Sequence, residues 1–497
     1  MVKSRGSVDD SRVAKGRAGA STRRKSPGQP NWAGERFGAW LARPLASFHL
    51  IVTIATLLTV LGLVMVLSAS SVESYAGGGS AYALFIQQAM FAGLGAIAFY
   101  VALRLPLRFL RQWSFPIFSV SVLALVLVLI PGIGSIHGGA RRWFDIGPLS
   151  IQPSEVVKVT LIVWGAHLLA SRRGAQLKDI LVPLVPAGLL VCLLVVLEPN
   201  LSTTIALGIV LMALLWFGGL PVRLFVGIMV TGLVAASVLA LSAGYRSDRV
   251  RAFFNPGDDP QGVNYQARQA KYSLADGGIW GRGLGQSRAK WSYLPNSHND
   301  FIFAIIGEEL GFLGCMLVLA LLALFVYAGI RIALRSVDPF LRLLTATATT
   351  WITAQALINI GYVVGLLPVT GLQLPLVSAG GSSLAITLFM FGIIASAARH
   401  EPEAISALKA GQDGRLSRLL RLPVPEVYAP PVPRKVAPRP RTERPRQAPR
   451  RQPPADRRRR VPESRGTSSL RSTRAWEPTY PMPHRPVKRR SGGGGGA

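Results

Sequence analysis

The amino-acid sequence predicts an all-α polytopic membrane protein of about ten transmembrane helices. Both termini are expected in the cytoplasm, with a large extracytoplasmic loop between the seventh and eighth helices and disordered basic tails. Three observations predict this. Half of the 497 residues are hydrophobic and only 16% are charged, below the roughly 25% usual in soluble domains. The apolar residues gather into ten runs, each close to the roughly 20 residues that cross a bilayer. The Lys and Arg of the short loops fall on alternate sides of those runs.

The chain opens on a basic tail, residues 1–46, with 10 Lys/Arg against 3 Asp/Glu. So long a polar stretch ahead of the first run does not read as a cleavable signal peptide. The core, 47–398, carries the runs at 48–69, 83–103, 115–134, about 153–170, 180–197, 201–220, 223–241, 301–330, 343–365 and 374–398. With the N-terminus inside, the inner loops hold Arg104, Arg108 and Arg111, then Arg172, Arg173 and Lys178, then Arg223, then Arg331, Arg335 and Arg342. An even number of spans returns the C-terminus to the same side. The tail from 399 to 497 holds 24 Lys/Arg against 8 Asp/Glu and is too poor in apolar residues to offset its chain entropy by burial. It is expected to be disordered.

The two tails supply most of the formal net charge of +31. That charge suits anionic lipid headgroups. It does not suit nucleic acid, because Trp32, Trp40 and Trp476 are isolated and no base-stacking pattern accompanies the basic runs. Cys192 and Cys315 lie inside apolar runs and read as small core residues rather than as disulfide or zinc partners.

Two outer segments break the charge rule. One is GARRWFDIG, with Arg141 and Arg142; the other is the loop 242–300, whose cations include Lys271 and Lys290. Such cations either keep the loops wet or meet an external anion such as phosphate or pyrophosphate. Inside the runs, Glu155 and Lys158 of QPSEVVK are three apart, share a helix face and can pair. The pair either fixes its helix against a neighbour or presents Lys158 to a substrate anion. Glu308 and Glu309 stand among Gly307, Gly311 and Gly314, where a broken helix or a close approach is expected. Asp300 ends YLPNSHND, next to His298, at the mouth of the eighth span. It can cap that helix or act as a positioned general base. SAGGSS, with Ser382 and Ser383, offers hydroxyls and bare backbone N–H groups that can cradle an anion or simply pack tightly.

These segments carry a resemblance. RRWFDIGPLSIQPSEVVK, EPNLSTT, GGIWGRGLGQSRAKWSYLPNSHNDFIFAIIGEELG and LPVTGLQLPLVSAGGSSL are similar, in order, to the SEDS (shape, elongation, division and sporulation) family, with wording closest to its division-type members. The resemblance implies a peptidoglycan glycosyltransferase polymerising lipid II outside the cytoplasmic membrane at the septum. It also implies a class B penicillin-binding protein as partner, together with other division proteins. An elongation-type polymerase or a lipid II flippase is the alternative. The family's essential aspartate maps onto Asp300, its Glu/Lys pair onto Glu155 and Lys158, and its loop arginines onto Arg141 and Arg142. Lys271, Lys290, His298, Ser382 and Ser383 complete the expected substrate contacts. A divalent cation, Mg or Mn, is a possible aid to the pyrophosphate. Asn296 and Asn200 stand where the family commonly has Glu and Asp, so neither is assigned an acid-base role.

Overall fold

A computed structural model describes residues 43–76, 80–137, 139–147, 149–172, 176–242, 253–254, 265–288, 298–411 and 418–429. Each of the ten apolar runs contains a helix, although residues 374–381 of the tenth run are irregular. In chain order the helices are α1 Ala46–Ala76, α2 Ala83–Arg104, α4 Ser114–Leu129, α5 Pro153–Ser171, α6 Leu177–Leu197, α7 Leu201–Phe217, α8 Val222–Ser242, α10 Ile302–Arg335, α11 Pro339–Val363 and α12 Ser382–Arg399. Shorter helices join them: α3 Leu107–Gln112, α9 Tyr265–Gly277 and α13 Pro402–Lys409. Among the described residues, five helices are long and apolar enough to cross a membrane.

The packing explains why the chain needs a membrane. Large apolar side chains point outward along the helices, with Val120 66%, Val182 67% and Leu317 51% exposed, a surface that water would not tolerate over so many contiguous turns. The inner faces mesh closely. A methyl group at Gly392 would lie 2.6 Å from the Phe99 carbonyl, so α12 and α2 touch backbone to backbone as small-residue interfaces allow. Both cysteines are free, and Cys315 is buried.

After α4 the chain forms a three-stranded antiparallel sheet of β1 Ser135–His137, β2 Ala140–Ile146 and β3 Leu149–Ile151, in the order β1-β2-β3. At its exposed edge Asp145 accepts hydrogen bonds from Ser150 Oγ at 2.7 Å and contacts His137 Nε2 at 2.9 Å. The Ser150 hydroxyl first, then His137, hold its carboxyl down to about 2.

The expected break in the eighth span falls at Gly311, whose φ of 68° and ψ of −165° interrupt α10. The loop after α9 fills the gap. Arg282 N and Gly283 N donate to the Glu308 and Glu309 carbonyls at 2.9 and 3.0 Å, and Phe312 N and Leu313 N donate to the Gly278 and Ile279 carbonyls at 2.9 and 3.3 Å. A side chain at Gly311 would strike Gly281 N at 2.3 Å, which is why glycine stands there. Both acids serve this joint. Glu308 accepts from Ser287 Oγ and Arg288 N at 2.7 and 2.6 Å, and Glu309 from Ser68 Oγ of α1 at 2.6 Å.

One boundary needs correction. Disorder is expected from 399 onward, yet α13 is helical and residues 418–429 lie against the bundle. Leu420 and Leu422 pack on the core, Pro425 is buried, and arginines of the core hold the backbone, as described below. The rest of the tail, 430–497, lies outside the described residues.

Candidate active site

The expected site residues lie around a cavity of about 740 Å³ at one end of the bundle. Its wall is built from the residues that open or precede helices: Glu155 and Lys158 of α5, Asn200, Ser202 and Thr203 at the start of α7, Asp300 before α10, and Ser383 of α12. Arg142 of β2 and the segment 368–373 close the mouth.

Glu155 and Lys158 pair as their spacing predicts, Nζ to Oε1 at 2.8 Å, with the two side chains only 9% and 1% exposed. Nζ also lies 4.9 Å from the Trp351 ring centroid, a second source of cation stabilisation in a dry setting. Glu155 Oε2 has no hydrogen-bond partner within the chain. The ammonium is thus held at the cavity wall by one carboxylate oxygen and an aromatic face.

Asp300 sits in the turn 298–300. The N-cap of α10 is the next residue, Phe301, so Asp300 is not placed at the cap position. Its backbone carbonyl is fixed by α11: Asn359 Nδ2 donates to it at 3.0 Å and the Tyr362 hydroxyl at 2.9 Å. The same two side chains reach the Leu372 carbonyl at 2.7 and 2.8 Å. They lock the Asp300 turn to the cavity rim, and the His298 carbonyl, accepting from Ala379 N at 3.0 Å, ties it to SAGGSS. Asp300 Oδ2 and Ser202 Oγ flank Gly371, each 3.6 Å from the position a Cβ would take there. We expect Asn359→Leu to lower turnover about tenfold to a hundredfold by letting this carboxylate drift, and Tyr362→Phe to lower it less. Single-turnover rates on variants with matched thermal midpoints check this.

Not every expected residue reaches the cavity. Arg141 and Arg142 are neighbours in a strand, so they face opposite sides. Arg142 lines the cavity, while Arg141 turns away to the Leu129 carbonyl at 3.5 Å. Lys271 does not line it either, and is exposed beside Gly365. His298 contributes backbone, and Ser382 Oγ accepts from Gln152 N at 3.3 Å as a packing contact. Lys290 lies outside the described residues.

Two polar residues at or beside the site, Gln355 and Glu198, escaped the sequence reading, and a third, Asn200, takes a structural role. Gln355 lines the cavity and donates to the Gln373 carbonyl at 3.0 Å. Asn200 caps α7, its side chain accepting from Thr203 N at 3.2 Å, a role Asn and Asp fill equally well. That accounts for the tolerance of Asn at this position. Glu198, in the turn between α6 and α7, is 0% exposed, and neither carboxylate oxygen has a hydrogen-bond partner within the chain. Burial pushes its carboxyl up to about 8, against the pull of Arg142. With a folded value above the unfolded 4.5, its contribution to stability is complete below the unfolded value and is lost as pH rises through about 8. The thermal midpoint should therefore fall between pH 7 and 9 in the parent chain, and fall less in Glu198→Gln.

Among the described residues, no three His, Cys, Asp or Glu side chains gather closely enough to hold a metal ion. At the cavity, Glu155 already gives one oxygen to Lys158.

Comparison with known proteins assigns the family. Residues 48–403 match the FtsW/RodA/SpoVE family model, described as cell cycle protein. The chain belongs to this family. The FtsW/RodA/SpoVE relatives include the probable peptidoglycan glycosyltransferase FtsW of Mycobacterium tuberculosis, 58% identical over 398 residues, covering 80% of this chain and 76% of that one. Stage V sporulation protein E of Bacillus subtilis is 37% identical over 353 residues, 71% of this chain and 96% of that one. Two solved structures share the fold. One is a chain from a study of polymerization and crosslinking by a peptidoglycan synthase complex, with TM-score 0.58, 29% identity, 71% of this chain and 97% of that chain covered. The other is the rod shape determining protein RodA of Thermus thermophilus, with TM-score 0.54, 28% identity, 73% of this chain and 99% of that chain covered. The present chain is thus a polytopic helical membrane protein of this fold.

Proposed function

We propose that the chain is a peptidoglycan glycosyltransferase that polymerises lipid II into β-1,4 glycan strands and releases undecaprenyl diphosphate. The observation that carries the proposal is one cavity lined by an aspartate on a fixed turn, a buried lysine and an arginine. The FtsW/RodA/SpoVE membership and the glycosyltransferase name of the mycobacterial relative support it.

Lipid II bears its pyrophosphate on the anomeric carbon. Attack by the 4-hydroxyl of the acceptor sugar from the opposite face forms the glycosidic bond and breaks the bond to pyrophosphate in one inverting displacement. The hydroxyl proton needs an acceptor, and Asp300 is the base we assign. Charge grows on the departing pyrophosphate, where Lys158 and Arg142 stabilise it, with the Ser383 hydroxyl as a further donor. So good a leaving group needs no protonating acid, and a second free carboxylate is unnecessary.

This chemistry requires the cavity at the outer face, with both termini cytoplasmic. The placement of the ionic groups, with Asp300 and Arg142 outside the long helices and Glu155 and Lys158 in the first two turns of α5, favours a polymerase over a flippase, whose essential charges belong near the midplane. The partner is a class B penicillin-binding transpeptidase, in line with the crosslinking partner of the related synthase complex, and the place of action is the division septum, in line with the FtsW name of the mycobacterial relative. The test supplies lipid II to the purified chain with that partner and analyses the product. Lysozyme-sensitive β-1,4 strands are expected; movement of lipid II across vesicles without strand formation would overturn the assignment.

A further inference from the structure

A second cavity, of about 950 Å³, lies at the opposite end of the bundle. It is walled by the end of α2, by α3, the start of α11, the end of α12, α13 and the tail segment 423–429. Ser383 and Arg399 mark the two cavities on the same helix, sixteen residues or about 24 Å apart. The cavity near Asp300 and this one therefore do not share a ligand.

Its lining is cationic on one side and apolar on the other. Arg104, Arg108, Arg111, Arg399 and Lys409 face Asp338 and Glu426, beside Leu103, Leu107, Leu341 and Ile405. The acids do not balance the bases. Asp338 is already engaged by Arg111 and caps α11 through Phe340 N at 3.0 Å. Arg104 donates to a neutral carbonyl, that of Arg421 at 2.7 Å, which holds its guanidinium without cancelling the charge. Arg399, 3% exposed, also reaches the tail, donating to the Pro423 carbonyl at 2.9 Å. The Tyr100 hydroxyl reaches the Leu420 carbonyl at 3.3 Å, and Arg111 stands 5.7 Å from the Tyr428 ring centroid. The tail segment is thereby strapped across the opening. It roofs the cavity and brings in a single carboxylate, Glu426.

We propose that this cavity binds a phosphate-bearing anion, with Arg108 and Lys409 as its principal contacts. Neither side chain has a hydrogen bond or ion pair within the described residues, and each stands at the wall of a chamber whose field is positive. The size fits a ligand of some hundreds of Å³. The apolar half, at the level where helices end, fits the first methylenes of a membrane lipid below its headgroup. The strap makes the tail part of the site, so that ligand and tail position are linked.

The test uses the full chain in detergent with three probes: dihexanoyl phosphatidylglycerol, dihexanoyl phosphatidylcholine and inorganic phosphate. Phosphatidylglycerol should raise the thermal midpoint saturably. The double variant Arg108→Gln/Lys409→Gln should bind it at least tenfold more weakly, with its unliganded midpoint unchanged. Inorganic phosphate that competes with phosphatidylglycerol at comparable concentration supports the site with a free anion as ligand; failure to compete supports it with a lipid head. Equal binding of the choline and glycerol lipids, or full binding by the double variant, overturns the proposal. Strand synthesis by the variant should stay within twofold of the parent. Failure here leaves the polymerase reading intact, since that reading rests on the other end of the bundle.

Discussion

Asp300→Asn should lower lipid II polymerisation by about 10² to 10⁴-fold, the range a positioned general base supplies, while leaving the protein folded in the membrane. The substitution keeps the side-chain shape and removes only the capacity to take a proton. The turn that carries Asp300 is held by its backbone carbonyl through Asn359 and Tyr362, so loss of the carboxylate does not free it. Thermal midpoint and co-purification of the transpeptidase partner should match the parent chain. Strand length on gels from purified complexes measures the effect. Near-normal synthesis by this variant would remove Asp300 from the mechanism.

Lys158→Met should lose both activity and stability, and the two losses can be separated. Removing the ammonium strands Glu155 beside the cavity with neither oxygen paired, and breaking one side of a buried ion pair costs about 3 to 5 kcal/mol. It also removes the cation that meets the pyrophosphate, for which a hundredfold or greater loss is expected. Glu155→Leu/Lys158→Met takes the uncompensated charge away, so the thermal midpoint should return most of the way to the parent. Polymerisation should not return. If the double variant regained synthesis along with stability, the pair would be only structural.

Much of this was legible because helices in a membrane announce themselves by length and polarity. The ten apolar runs each contain a helix, and the three-residue spacing of Glu155 and Lys158 sufficed to predict their contact. Asp300 stood out through the resemblance carried by YLPNSHNDFIFAIIGEELG, since on local grounds it read as a helix cap or a base alike. What stayed hidden depended on partners distant in the chain. Arg141 and Arg142 read as one cationic unit until the segment proved to be a strand, whose alternation sends them to opposite faces. Glu198 and Gln355 carry no local pattern, and only the packing of α7 against α11 puts both near the site. The closest available signal for Glu198 was an ionisable side chain ending an apolar run. The stretch 418–429 looked too polar to order, since its anchors, the arginines of α2, α3 and α12, lie hundreds of residues earlier or on another helix.

The interruption at Gly311 makes the loop after α9 and the helix α10 one mechanical piece. It lies nine residues into α10, about 14 Å along the helix axis. Four backbone hydrogen bonds from residues 278–283 complete the helix there. Swinging the loop aside would leave those donors and acceptors unpaired, each at about 1 to 3 kcal/mol. The loop is thus stitched to the helix that begins right after Asp300, and a displacement of residues 278–283 is passed on to the turn that carries this carboxylate.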